Sequence, residues 1–349
     1  MGRRFEPVWA HSYWHFLLKL QIYTLIMERP NTWLITGGAG YIGAHIADAF
    51  LDDRKTVIIY DSLYRGLESR IEYLRKKHKQ EIPLIVGDIR DTQTLRAALQ
   101  LYKPEGVIHT AALKSVGESI EKPDEYFEVN FHATKKLLEI VSASGVRRFI
   151  FSSTAAVYGS PNLANPVKED DLKNPISPYG SSKLSAEVEV NEFLERAGNF
   201  GTSLRFFNVV GTAGSELTDN SVENLVPIVS NRLKSGQPPV IFGVDYATYD
   251  GTCIRDYVDV RDVARAHLMA AKSLSPLPFS MNVGTGQGAS VREVIKLVCE
   301  SMGQAEVIIE ELGRRVGDSS SLVADVSLIK KALGFETDFS LKEAIAGIN

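Results

Sequence analysis

Two short stretches carry residue types that could do chemistry together. The run SPYGSSKLSAE (177–187) puts Tyr179 and Lys183 four residues apart, on one face of a helix that Pro178 would open. A phenol titrates near ~10 in water and is a poor base at neutral pH. A neighbouring ammonium favours the phenolate, so the pair is expected to bring that value down by roughly one to three units. Such a group can take a proton from an alcohol as hydride leaves the same carbon. The second stretch, FSSTAAVYG (151–159), reads as a strand running out of the core into Ser152, Ser153 and Thr154. Ala155 and Ala156 follow, so nothing ionisable stands directly after the hydroxyls.

A Tyr-x-x-x-Lys spacing occurs by chance on many helices, so its weight depends on the elements around it. Apolar runs at 33–36, 57–60, 83–88, 106–112, 147–153 and 202–208 alternate with segments of helical spacing. Runs that are apolar nearly throughout suit strands covered on both faces. The alternation predicts an α/β fold, a Rossmann-type doubly wound parallel sheet, with a smaller α+β C-terminal substrate domain from about residue 208. Directly after the first run comes TGGAGYIG (36–43), with glycines at Gly37, Gly38, Gly40 and Gly43. Such glycines permit a tight turn, let backbone approach a pyrophosphate, and let the next helix pack on the sheet. A helix beginning near Tyr41 would aim its free N–H groups at the phosphates. Asp61 ends the second run, where a carboxylate accepts from ribose hydroxyls and repels a 2′-phosphate. NAD is therefore the expected cofactor, with Arg65 leaving NADP as the alternative.

Composition bounds the partners. The chain has 349 residues, a net charge of -4, 44% hydrophobic and 23% charged residues, with no sign of a nucleic-acid partner. Cys253 and Cys299 are its only cysteines, too few for a disulfide framework, which fits a reducing, cytoplasmic setting. The histidines, His109 among them, lack metal-ligand spacing, and no metal is expected. The run FLLKLQIYTLIM (16–27) follows Arg3 and Arg4, but Lys19 and Gln21 interrupt it and it is too short to span a bilayer. Residues 1–31 read as an extension with Met27 as the functional start, 32–207 as the NAD-binding domain, and 208–349 as the second domain, the chain crossing back to the first.

At this point the chain resembles the UDP-glucose 4-epimerase family of extended short-chain dehydrogenases/reductases. TGGAGYIG, GDIRD, HTAALKSVGES, FSSTAAVYG, SPYGSSK, RFFNVVG, DGTCIRDYVDV and GRRVGD occur in that order over about residues 32–345. The resemblance implies tightly held NAD, a UDP-sugar substrate and a homodimer. It implies that Tyr179 takes the proton from the sugar 4-hydroxyl, that Thr154 holds the 4-oxygen, and that Lys183 binds the nicotinamide ribose. Around the cofactor it implies Gly37, Gly40, Tyr41, Ile42, Gly43, Asp61, Asp88, Ile89, Ala111, Ala112, Lys114, Asn130, Ser152 and Phe207. On the nucleotide of the sugar donor it implies Asn208, Asn224, Leu225, Val240, Phe242, Arg255, Arg315, Asp318 and Leu322. Arginines make sense there as fork donors to a diphosphate.

Departures from the pattern bear on substrate. Phe206 stands where many relatives have Tyr, and Glu223 replaces the first residue of an Asn-Asn-Leu pattern. Leu322 is aliphatic where some relatives carry tyrosine, which leaves room for a C2 substituent and extends the expected substrates to N-acetylated sugars. Sugar dehydratases carry Asp-Glu after the threonine, where this chain has Ala155 and Ala156, so loss of water is not expected. A C4 epimerase of UDP-xylose or a UDP-uronate is the alternative. A redox-sensing module that keeps the cofactor and loses the reaction is a third reading, disfavoured because both Tyr179 and Lys183 are present.

Overall fold

A computed structural model describes residues 31–160, 166–221, 223–315 and 318–348. Residues 1–30 of the expected extension, Met27 included, lie outside the described residues. Six strands form in the predicted places: β1 (Thr32–Thr36), β2 (Thr56–Asp61), β3 (Leu84–Val86), β4 (Gly106–His109), β5 (Arg148–Thr154) and β6 (Phe200–Phe206). The chain then adds β7 (Asn208–Val210), β8 (Val240–Phe242) and β9 (Ile254–Asp259), returns as β10 (Ser280–Val283), and ends with β11 (Gly288–Ser290), β12 (Glu310–Leu312) and β13 (Ser321–Leu322). A parallel sheet of seven strands has the order β10-β6-β5-β4-β1-β2-β3.

The pleat sends alternate residues of β1 to opposite faces. Trp33 and Ile35 enter a core with Ala44, Phe50, Val263 and Ala266, under the helices Tyr41–Asp52 and Val260–Lys272. Leu34 enters the other core with Leu95, Leu137 and Val190, under Thr92–Tyr102, Ala133–Ala143 and Pro178–Leu194. Fully burying one such side chain is worth about 1.5–3 kcal/mol. That two-sided burial accounts for the unbroken apolar runs.

The run 202–208 becomes two strands, β6 and β7, in different sheets. Phe207 donates its N–H to Val283 of β10, and the chain then leaves to pair β7 with β9. Asn208 is thereby the first residue of the second sheet, in which β9 also pairs with β11 and β13. β8 and β12 form a separate parallel pair. A π-helical turn at Glu128–His132, ahead of the helix Ala133–Ala143, was not predicted. Helical periodicity alone does not distinguish such a turn. Among the described residues no helix is long and apolar enough to cross a membrane.

Candidate active site

The glycine turn is built for close backbone approach. Gly37 has φ +70°, and a Cβ there would lie 2.6 Å from the Ala111 nitrogen. A Cβ at Gly43 would lie 2.2 Å from the Gly37 oxygen, inside the turn itself. A Cβ at Gly40 meets only the Gly37 oxygen, so the space before the helix Tyr41–Asp52 is kept open by a missing side chain. That helix has no side-chain cap, and its first N–H groups suit an anion. These features fit the pyrophosphate of a dinucleotide.

Of the other predicted cofactor positions, Ala111 and Asp61 lie against this turn. Asp61 ends β2 and accepts from the N–H groups of Ala39 (3.0 Å) and Leu63 (2.8 Å). Burial pushes its pKa up, and those bonds pull it back. Arg65 is bonded to Glu118 at 2.5 Å, so its guanidinium is committed within the protein. Asp88 is held below its usual range chiefly by its hydrogen bonds from Arg90, and Ile89 beside it is buried. Ala111, Ala112 and Lys114 follow β4. Asn130, in the π-helical turn, both accepts from the Leu113 N–H (2.8 Å) and donates to the Leu113 carbonyl (2.9 Å). The sequence places Asn130 on the cofactor; the structure spends its side chain on fixing the 111–114 loop.

Ser177 caps the helix Pro178–Leu194 by accepting from the Gly180 N–H at 3.1 Å, with Pro178 at the first position. The ring of Tyr179 packs T-shaped with Tyr126, centroids 6.4 Å apart. Lys183 is 3% exposed, its Nζ 4.1 Å from the centre of the Phe151 ring. The expected fall in the phenol pKa is reversed here. Burial pushes Tyr179 above its ordinary value, and only a side-chain hydrogen bond with Thr154 pulls it down. Burial also pushes Lys183 down to about 7, against the pull of Glu187. Desolvation of both groups outweighs their attraction.

The predicted nucleotide residues come from five separate segments. Asn208 is exposed at the start of β7. Asn224 precedes the helix Leu225–Lys234 and donates to Asp219 at 2.5 Å, and Asp219 lies 4.0 Å from Lys114. Val240 and Phe242 bound β8, and the Arg315 guanidinium covers the Phe242 ring at 3.9 Å. Arg255 sits in register with Leu322 across β9 and β13, its Nη2 3.4 Å from Asp318. Phe207, Ala155, Tyr158 and Ala324 form one buried apolar cluster, with Leu322 packed against it. A carboxylate at position 155 would therefore be buried among apolar groups, at a cost of several kcal/mol.

Residues 33–284 match the NAD dependent epimerase/dehydratase family. The chain belongs to that family. It is 38% identical to the UDP-glucose 4-epimerase of Halalkalibacterium halodurans, over 89% of this chain and 92% of that protein. Among solved structures, it is similar to UDP-glucose-4-epimerase from Stenotrophomonas maltophila with bound NAD and formylated UDP-arabinopyranose (TM-score 0.86, 33% identity, 91% of this chain and 97% of that one). It is also similar to the Bifidobacterium longum enzyme in complex with NAD+ and UDP (TM-score 0.84, 32% identity, 91% and 96% covered).

Behind this epimerase-family site lies a polar network that the sequence reading did not find. Ser152, expected at the cofactor, has its hydroxyl 2.9 Å from His267 Nε2, inside the fold. Ser153 donates to Glu187, and Glu187 takes the Nε (2.9 Å) and Nη2 (2.6 Å) of Arg205. Arg205 Nη1 also donates to the Tyr158 hydroxyl and the Glu169 carbonyl. Glu187 is the last residue of SPYGSSKLSAE, one turn beyond Lys183. A carboxylate at that helical spacing from a lysine was the available signal.

Three neutral imidazoles lock this half of the molecule. His45 lies between the Tyr41 carbonyl and the Ala213 N–H, His109 between Thr36 and Thr134, and His267 between the Val263 carbonyl and Ser152. Burial pushes all three down, His45 and His267 to about 4 and His109 to about 3. Their folded values lie below the ordinary 6.5, so their stabilisation is present above that pH and lost as pH falls through about 4. Thermal melts at pH 7, 6 and 5 should show the midpoint falling by several degrees. His267→Gln should shallow that fall, and a flat profile would contradict the neutral assignment.

Proposed function

We propose that the protein interconverts UDP-glucose and UDP-galactose at C4, using NAD, through a 4-keto sugar. The observation that carries the reading is the strand tip. Thr154 ends β5, the strand against which the helix carrying Tyr179 packs, and the next position, Ala155, belongs to a buried apolar cluster. Such a site can oxidise and reduce a carbinol carbon, and the two positions directly after Thr154 are alanines, which supply no acid to drive loss of water.

Tyr179 takes the proton of the 4-hydroxyl and returns it, and Thr154 holds the oxygen as it becomes a ketone. NAD, when bound, would supply the hydride acceptor and, in its oxidised form, a positive charge. Lys183 holds the nicotinamide ribose, and Gly37, Gly40, Tyr41, Ile42 and Gly43 receive the pyrophosphate. Asp61 accepts from the adenosine ribose through the lone pairs its backbone bonds leave open. With Arg65 bonded to Glu118, the pocket offers a 2′-phosphate a carboxylate rather than a free cation, which favours NAD over NADP. Arg255 and Arg315 hold the diphosphate, Asp318 the uridine ribose, and Asn208, Asn224, Leu225, Val240 and Phe242 the rest of UDP. The sugar must turn over between the two hydride transfers, so affinity belongs on the UDP end and contacts to the sugar stay few.

Residues 32–207 serve the cofactor and 208–349 the sugar nucleotide, β10 apart. The protein acts in the cytoplasm, where its buried thiols Cys253 and Cys299 remain free, and as a homodimer, following the family resemblance. The test is turnover of UDP-galactose, UDP-N-acetylgalactosamine, UDP-xylose and UDP-glucuronate by the purified protein without added cofactor. UDP-galactose should turn over fastest, and Leu322 leaves room for the N-acetylated sugar to follow. Turnover confined to the pentose or the uronate would overturn the assignment.

A further inference from the structure

We propose that Glu187 and Phe151 are positioning residues for Lys183, holding its side chain charged behind the strand tip. The proposal rests on the part given to Lys183 above. Among the described residues, Lys183 Nζ has a ring face beneath it and no hydrogen-bond acceptor. The lysine as a whole is almost wholly enclosed, so its charge depends on groups that stand in for part of its water. Phe151 supplies the electron-rich face of a fully buried ring. That ring is fixed in turn, stacked on His109 with centroids 5.6 Å apart, and His109 is pinned by Thr36 (2.7 Å) and Thr134 (2.8 Å).

Glu187 supplies the counter-charge. It is 2% exposed, one helical turn from Lys183, and its carboxylate is held by Arg205 and Ser153. The other titratable groups around the lysine add no negative charge. His109 on β4 is kept neutral by burial and by Lys183 itself. Tyr179, on the same helix, is kept protonated by burial. Arg205 on β6 is positive and already bonded to Glu187. Burial pushes Lys183 to about 7, and Glu187 is the group that raises it. An ammonium so finely held would free Nζ to bond the cofactor ribose without competition from the protein.

The test is the pH dependence of kcat for UDP-galactose in the holoenzyme. Glu187→Gln removes the charge and keeps the shape. Phe151→Leu removes the ring face, leaves the Glu187–Arg205 ion pair intact, and serves if the first variant does not fold. Each should move the alkaline limb of the profile down by about one pH unit, because the ammonium is lost sooner. NAD content, read from the absorbance of the purified protein, should be kept. Lys183→Met is the control and should lose activity at least about 100-fold. If Lys183→Met is inactive and neither variant moves the limb, or no limb exists, this proposal fails and the site reading stands. If Lys183→Met keeps its rate, the site reading itself fails.

Discussion

Tyr179→Phe should lower kcat for UDP-galactose by about 10²–10⁴-fold, the usual worth of a positioned acid–base group. The change removes one oxygen and keeps the ring that packs T-shaped with Tyr126, so the helix cap at Ser177 and the packing around it remain. NAD content and affinity for UDP should then stay close to those of the parent. A loss confined to kcat would mark an interaction made only in the transition state. An unchanged rate would sink the catalytic assignment and, with it, the proposed reaction. The direction of the phenol shift sharpens the expectation. In the protein alone, burial keeps Tyr179 protonated. The phenolate must therefore be favoured by charge that arrives with the cofactor, together with the Lys183 ammonium.

The backbone frame was legible because it is local. Unbroken apolar runs, glycines at fixed spacing and a Ser-Pro helix start each report on a few neighbouring residues. The structure places β1 to β6 and the helix at Tyr41 close to those signals. What stayed hidden depends on where distant elements meet. The ionisation of Tyr179 and Lys183 is set by burial against the strands and helices packed on theirs, which charge spacing along one helix does not reveal. Ser152 looked available from its strand position, and only the return of the helix Val260–Lys272 brings His267 to it. Asn130 sits in a π-helical turn with no sequence signature, and its amide bonds Leu113 and Ser182. Glu187 lay in plain view. Its meaning needed Arg205, delivered by β6, and Ser153, delivered by β5.

That buried pair carries the largest expected effect on stability. Arg205→Met should destabilise the fold by about 3–5 kcal/mol, because it leaves the Glu187 carboxylate buried without its cation. The Tyr158 hydroxyl and the Glu169 carbonyl lose a donor as well. The double change Glu187→Met with Arg205→Met should recover most of the loss, since an apolar pair of similar volume needs no desolvated charge. The sign of the pH dependence separates this account from simple loss of packing. In the single variant a buried carboxylate is left without its cation, a state that acid relieves, so the penalty shrinks as pH falls. The gap in melting midpoint between parent and Arg205→Met should therefore narrow from pH 8 to pH 5, even as the buried imidazoles weaken both proteins. A gap that is constant with pH would mean the arginine acts through its bulk, and Glu187 would then have no claim to a charge that Lys183 can feel.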